Sequence, residues 1–255
     1  MVVLSKILQC IHHFKIKRIG KKILKNWGIE LVHPITMDDA AILKEIFCDR
    51  IYADFFPFYQ DSTIIDIGAH KGLFSLFAFL NAGPKSKIIA LEPSEKNYQL
   101  LTKNIHKNNA TQTVSTVKKG IAGKSGRYDL KIIDDKNHSI YDSYIKILGK
   151  EVCRVEHIEA LSIPDLILQF KIEQIDFMKM DCEGAEFAAI LNLKEEVLKK
   201  IKTLSLEFHD LKDKNYNISN LTSFLLDHHY TIVRYDFLTT VLNINTGQLV
   251  AIREN

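Results

Sequence analysis

Four carboxylates stand at or near the ends of short apolar runs: Asp66 after Ile64 and Ile65, Glu92 after residues 88–91, Asp181 after residues 175–180, and Glu207 in residues 203–208. Each run reads as a strand of an open sheet, and ligands of such sheets bind outside the carboxyl ends of the strands. Carboxylates on that edge can accept ribose hydroxyls, hold a cationic ligand or take a proton from a reacting hydroxyl.

The run ending in Asp66 is followed by Gly68, Ala69, His70, Lys71 and Gly72, and then by Leu73, Phe74, Leu76 and Phe77 at helical spacing. Glycine permits positive φ and lets backbone N–H groups at a helix N-terminus come close to a ligand. Glu92, closing the next strand, is placed to accept both hydroxyls of a ribose. A dinucleotide fingerprint needs glycine at its first, third and sixth places, and counting from Gly68 the later two hold His70 and Leu73. Asp66 would repel a pyrophosphate but suits the ammonium and sulfonium of S-adenosylmethionine (SAM). SAM is therefore the expected cofactor. An NAD-dependent oxidoreductase or epimerase is the alternative from the same strand–turn–helix unit, and a non-catalytic SAM-binding protein is another.

A second segment, IDFMKMDCEGAEFAAIL, delivers Asp181 to the same edge, where it could hold the SAM ammonium or the acceptor. Glu183 and Glu186 read as first-turn acids of a helix whose apolar face is Phe187, Ile190 and Leu191, a placement that the helix dipole favours. In LSLEFHD, His209 titrates in the range useful to a base that removes a hydroxyl proton, Glu207 could orient it or touch substrate, and Asp181 is the competing base. Asp181, Glu183, Glu186, Glu207 and His209 are also possible donors to a divalent ion. Spacing alone does not establish one, and no metal ligand is assigned.

The elements that must position these groups alternate along the chain. Thr36 can cap a helix carrying Ala41, Leu43, Ile46 and Phe47, with Asp39 closing a capping box. Ser94 opens another through Tyr98, Leu100, Leu101 and Ile105, which runs out at Asn108 and Asn109. Strand patterns follow at residues 114–117, 128–133, 175–180, 203–208 and 230–235, with a C-terminal pair at 241–244 and 249–252. Together they predict a Rossmann-like α/β fold, a seven-stranded, mostly parallel sheet with helices on both faces and a C-terminal antiparallel hairpin. The polar, Tyr-rich residues 134–150 form a loop that, with the N-terminal helix, is expected to shape the acceptor pocket.

Composition bounds the rest. A chain of 255 residues, 46% hydrophobic and 25% charged, can bury a full core without disulfides. Cys10, Cys48, Cys153 and Cys182 show no CxxC spacing, which argues for a reducing compartment and against structural zinc. No apolar run has the length of a membrane span and no secretory signal is evident, so a cytoplasmic location is expected. A net charge of +3 is too small to imply a nucleic-acid partner. The charge is uneven, however: Lys6, Lys15, Lys17, Arg18, Lys21, Lys22 and Lys25 all precede the first acid, Glu30, among apolar residues at mostly helical spacing. Such a helix either packs on the domain edge or touches an anionic membrane surface. Residues 1–60 are read as a helical extension and 61–255 as the cofactor-binding domain.

Several segments in order, LKEIFCDRIY, IIDIGAHKGLFSL, ALEPSEKNYQLLTKNIHKNN, GIAGKSGRYDL, IDFMKMDCEGAEFAAIL and LSLEFHD, resemble the FkbM-type SAM-dependent methyltransferases over roughly residues 43–235. The resemblance implies a class I methyltransferase fold, SAM as donor, and an oxygen acceptor on a sugar, a lipid-linked glycan or a polyketide. By position it makes Asp66, Gly68, His70 and Gly72 the SAM turn, gives Glu92 the ribose, sets Gly120 and Ala122 near the adenine and places Asp181 after the next strand. The family commonly has Asn where His70 stands and a β-branched apolar residue where Cys182 stands.

Overall fold

A computed structural model of the chain describes residues 2–133, 138–141, 144–145, 151–210, 213–241 and 244–254. The described helices are α1 (Val2–Trp27), α2 (Met37–Phe47), α3 (Leu73–Asn81), α4 (Glu95–Lys107), α5 (Ile163–Gln169), α6 (Glu186–Ile190), α7 (Glu195–Leu198) and α8 (Ile218–Asp227). The strands are β1 (Thr63–Ile67), β2 (Lys87–Leu91), β3 (Val114–Val117), β4 (Gly120–Ile121), β5 (Gly126–Ile132), β6 (His138–Ser139), β7 (Arg154–Leu161), β8 (Phe177–Met180), β9 (Thr203–Asp210), β10 (Tyr230–Val241) and β11 (Ile244–Arg253).

The main sheet has seven strands in the order β10-β11-β9-β8-β1-β2-β3. Its pairings are parallel except for the two made by β11, which is antiparallel to both β9 and β10. This is the expected mostly parallel α/β sheet with a C-terminal antiparallel hairpin. Both faces of its centre are apolar, as strands covered by helices on two sides must be. Ile65, Ile67, Met178, Met180, Leu204 and Leu206 belong to one core cluster. Ile64, Ile88, Ala90 and Phe177 belong to the other. The order reverses between β1 and β8, and the crevice at such a switch point is where ligands of these sheets bind.

Three parts differ from the sequence expectation. Residues 128–133 fall mainly in β5, which belongs not to the main sheet but to a second one, ordered β4-β7-β5-β6 and inserted between β3 and β8. Strand β7, its centre, was not anticipated, because the outer half of RVEHIEAL is exposed and its alternation is weak. At the C-terminus the expected segment 230–235 is part of a longer strand, β10, which runs to Val241 and pairs with β11; of the segment expected at 241–244, Val241 closes β10 and Ile244 opens β11, while residues 242–243 lie outside the described residues. Register shifts at Ile232/Arg234 and Phe237/Thr239 break the period-two pattern that would have revealed the longer strand.

The N-terminal helices pack on the domain. Ile23 and Ile29 share a core cluster with Leu43, Ile46 and Phe47 of α2 and with Phe74 and Phe77 of α3. A Cβ added at Gly20 would lie 2.7 Å from the Ala40 Cβ, so α1 and α2 cross at close contact. Lys15, Lys17, Arg18, Lys21, Lys22 and Lys25 stay exposed, and Phe14 is 72% exposed. The Thr36–Asp39 capping box forms as the sequence suggested. Asp39 does more than cap: buried, it also accepts a hydrogen bond from Lys71 Nζ at 2.8 Å, tying α2 to the turn after β1. Its carboxyl is held below the ordinary value, burial opposing and the Lys71 and Thr36 hydrogen bonds outweighing it. No helix among the described residues is long and apolar enough to cross a membrane.

Candidate active site

The turn after β1 is compressed against the neighbouring strand. Gly68 has φ +75°, and a Cβ added there would lie 1.7 Å from the Asp181 carbonyl oxygen. Its N–H and that of Ala69 donate to Leu91 O at 3.1 and 2.9 Å. His70 follows at φ +51° and Gly72 at φ +86°, the latter as the N-cap of α3. Only a residue without a side chain fits Gly68.

A cavity of about 310 Å³ opens over the carboxyl edge at this point. Of the residues expected from sequence, Gly68, His70, Glu92, Gly120, Asp181 and Glu207 line it. Asp66, Gly72, Ala122 and His209 do not. The Asp66 carboxylate lies buried beneath the turn, accepting from Ser75 Oγ at 2.6 Å and standing 3.3 Å from Lys179 Nζ. Asp66, expected as a direct partner of the cationic cofactor, thus stands outside the cavity lining, beside Lys179 and Ser75. Lys179 in turn donates to Gly68 O at 2.9 Å and sits 5.7 Å from the centre of the Tyr52 ring. Burial pulls its ammonium pKa down, but Asp66 and Asp181 outweigh that and hold it above the ordinary value. From the sequence, no role is expected of Lys179. The signal was there, since a lysine inside an apolar strand needs a buried partner.

Glu92 is fixed through its two oxygens, which accept from His70 N and Ser94 N, each at 2.9 Å. Burial pushes its carboxyl up to about 8 against the pull of those two N–H groups. Each carboxylate oxygen retains a lone pair for a further donor such as a ribose hydroxyl. Ser94 stands at the N-cap of α4, but its side chain makes no cap; its backbone N–H is what the site uses.

The other end of the cavity is acidic. Glu183 (φ +53°) and Gly184 (φ +100°) form a turn ahead of α6, so Glu183 is not the first-turn helical acid that the sequence suggested. Glu186 accepts from Cys182 N at 3.0 Å and Gly184 N at 2.9 Å and lies 3.2 Å from His209 Nδ1. His209 Nε2 is 3.3 Å from Glu183 and 3.9 Å from Glu207. The Tyr144 hydroxyl donates to Glu183, and its ring meets His209 edge-on. Burial would lower the His209 pKa, yet these three glutamates hold it well above the ordinary value. The ring thus sits behind the cavity wall and does not itself reach the space in which the expected base would meet an acceptor. Burial raises Glu183 to about 7 and Glu207 to about 8.

Two further walls come from elsewhere. Ile42, Glu45 and Ile46 of α2, with Tyr52, close one side. From the expected pocket loop, His138 and Ile140 line the cavity and Ser139 Oγ donates to Glu183 O at 2.8 Å. Its residues 134–137, 142–143 and 146–150 lie outside the described residues.

Residues 66–232, more than half of the chain, match the family described as the methyltransferase FkbM domain. The chain belongs to this family. Among curated proteins it is 26% identical over 215 residues to methyltransferase sdnD of Sordaria araneosa, covering 70% of this chain and 82% of that one. It is 27% identical over 192 residues to methyltransferase 1 of Beauveria bassiana, covering 67% and 74%. Among solved structures, the crystal structure of methyltransferase FkbM from Methylobacillus flagellatus KT is 15% identical, spanning 96% of this chain and 60% of that one, with a TM-score of 0.47. The matched FkbM residues begin inside β1, so the wall made by α2 and Tyr52 lies ahead of them. The NAD-dependent alternative gains no support from these relatives.

Proposed function

We propose that this FkbM-family methyltransferase is SAM-dependent and methylates a hydroxyl on a sugar, glycan, lipid-linked or natural-product acceptor. The observation that supports it is one cavity whose two ends differ. At one end the Gly68 turn and the fixed Glu92 carboxylate suit an adenosyl ribose; at the other, Asp181 and Glu207 reach the space where an acceptor hydroxyl would stand. SAM supplies an electrophilic methyl on a sulfonium. The residues must then align the acceptor oxygen with that methyl and exclude water. Asp181 takes the hydroxyl proton, since it lines the cavity and His209 does not, and Glu207 contacts the acceptor. His209 holds Glu183 and Glu207 in place from behind the wall.

The test is incubation of the protein with methyl-labelled SAM and a fractionated extract of the source cells, followed by mass spectrometry. Label on an oxygen supports the reading. Label only on nitrogen or carbon overturns the acceptor class, and no label in any fraction overturns the activity.

Glu92 gives a sharper prediction about the donor. At pH 7 its carboxyl is largely protonated, and ribose hydroxyls that donate to it favour the ionised form. Affinity for S-adenosylhomocysteine should therefore rise with pH and level off above about 8. Glu92→Ala should weaken binding by about 1–3 kcal/mol and flatten that rise. Calorimetry that finds equal affinity and slope in both proteins removes Glu92 from the site.

Residues 1–60 act in this proposal as an extension of a cytoplasmic enzyme, and the exposed lysines of α1 hold it reversibly to anionic lipid. Each basic residue near such a surface contributes about 1 kcal/mol, screened by salt. At low salt the chain should pellet with anionic but not neutral vesicles, and changing Lys17, Lys21, Lys22 and Lys25 to Gln should abolish this. Equal pelleting of both proteins leaves α1 as a packed edge helix only.

A further inference from the structure

We propose that Asp181, Glu186 and His209 form a divalent-cation site beside the acceptor end of the cavity, suited to Mn²⁺. One donor atom from each residue lies within 4.8 Å of the others, a spacing that lets all three reach a single ion. This is not a patch of surface acids: Glu186 is 0% exposed and His209 4%. The Glu186 carboxylate is pre-oriented by the N–H groups of Cys182 and Gly184, and the imidazole is held between Glu186 and the edge of Tyr144.

Charge points the same way. His209 has Glu183, Glu186 and Glu207 within 4 Å, and Asp181 joins its cluster, so four carboxyl groups crowd one imidazole. Carboxyl groups crowded in this way are stabilised by a cation placed among them. Gln248 adds a separate observation. It lies opposite Glu207 in the β9–β11 register, on the sheet face shared by Glu207 and His209. It is wholly buried, and no group meets either amide atom with full hydrogen-bond geometry, the Tyr52 hydroxyl being the polar neighbour within reach. A hydrated ion nearby would supply a further polar partner.

Two carboxylates with one imidazole suit Mn²⁺, whereas Mg²⁺ and Ca²⁺ prefer oxygen alone. Asp181 is shared between this cluster and the cavity lining, so an ion there stands next to the acceptor and can acidify its hydroxyl. The site does not depend on SAM being the donor.

The experiment uses the full chain, stripped with a chelator and titrated with Mn²⁺ alone while the free aquo-ion signal is followed by electron paramagnetic resonance. The expected result is uptake of one ion per chain, with ¹⁴N modulation from a ligating imidazole in the pulsed spectrum. His209→Ala should lose the modulation and bind at least about tenfold more weakly, and Glu186→Gln should weaken binding as much. Because Glu186 also caps a turn, thermal unfolding and S-adenosylhomocysteine calorimetry accompany each variant, and His209→Ala decides alone if Glu186→Gln does not fold. No uptake by the wild type, or modulation that persists in His209→Ala, overturns the site. Uptake of Mn²⁺ by a protein that binds no S-adenosylhomocysteine leaves the ion site standing and removes the SAM reading instead.

Discussion

Lys179→Met should destabilise the protein by about 3–5 kcal/mol, the cost of leaving a buried charge without its partner. The charge is Asp66, wholly buried and 3.3 Å from Lys179 Nζ, with Ser75 as its hydrogen-bond donor. Replacing both partners, Asp66→Asn with Lys179→Met, should restore more than half of the loss, because the uncompensated carboxylate is then gone. Urea unfolding of the two variants and the wild type measures this. Pairing holds the Lys179 ammonium above its ordinary value, so its contribution is complete below the unfolded-state pKa and is lost only as pH rises through the raised folded one. A single-variant loss below about 1 kcal/mol would mean that water, not Lys179, satisfies Asp66.

Gly68→Ala should cost about 3 kcal/mol or more and abolish S-adenosylhomocysteine binding. The added methyl would stand 1.7 Å from the Asp181 carbonyl, so β1 and β8 must part where Asp181 N donates to Ile67 O at 3.1 Å. Gly72→Ala is the control. Its φ is also positive, but the nearest atom, 2.7 Å away, is the terminal methyl of Leu101, which can turn aside. Binding that survives in Gly68→Ala and is lost in Gly72→Ala would reverse the importance assigned to the two glycines.

The edge that carries the site was legible because its signals are local. An apolar run ending in an acid, then glycine, then helical spacing, needs no distant residue to be read, and Asp66, Glu92, Asp181 and Glu207 were placed on one edge from that alone. What each carboxylate meets was not legible. Asp66 and Lys179 are separated by 113 positions and Tyr144 and Glu183 by 39, so only the folded register shows that Asp66 is neutralised and that His209 is enclosed by glutamates. The inserted sheet was missed for a different reason: β7 is half exposed and offers little periodicity. The wall from α2 was missed because a helix pattern says which face is apolar and not which cavity that face borders.

That wall has a mechanical consequence. The helix that contributes Ile42, Glu45 and Ile46 to the cavity also grips Lys71 through Asp39, in a pair where both side chains are buried. Lys71 lies between His70 and Gly72, inside the turn read as the donor's seat. An acceptor that displaces α2 on entry must therefore strain this pair or carry the turn with it. Occupancy at one end of the cavity would be felt at the other, and thermodynamic reciprocity requires the donor to bias acceptor affinity by the same factor.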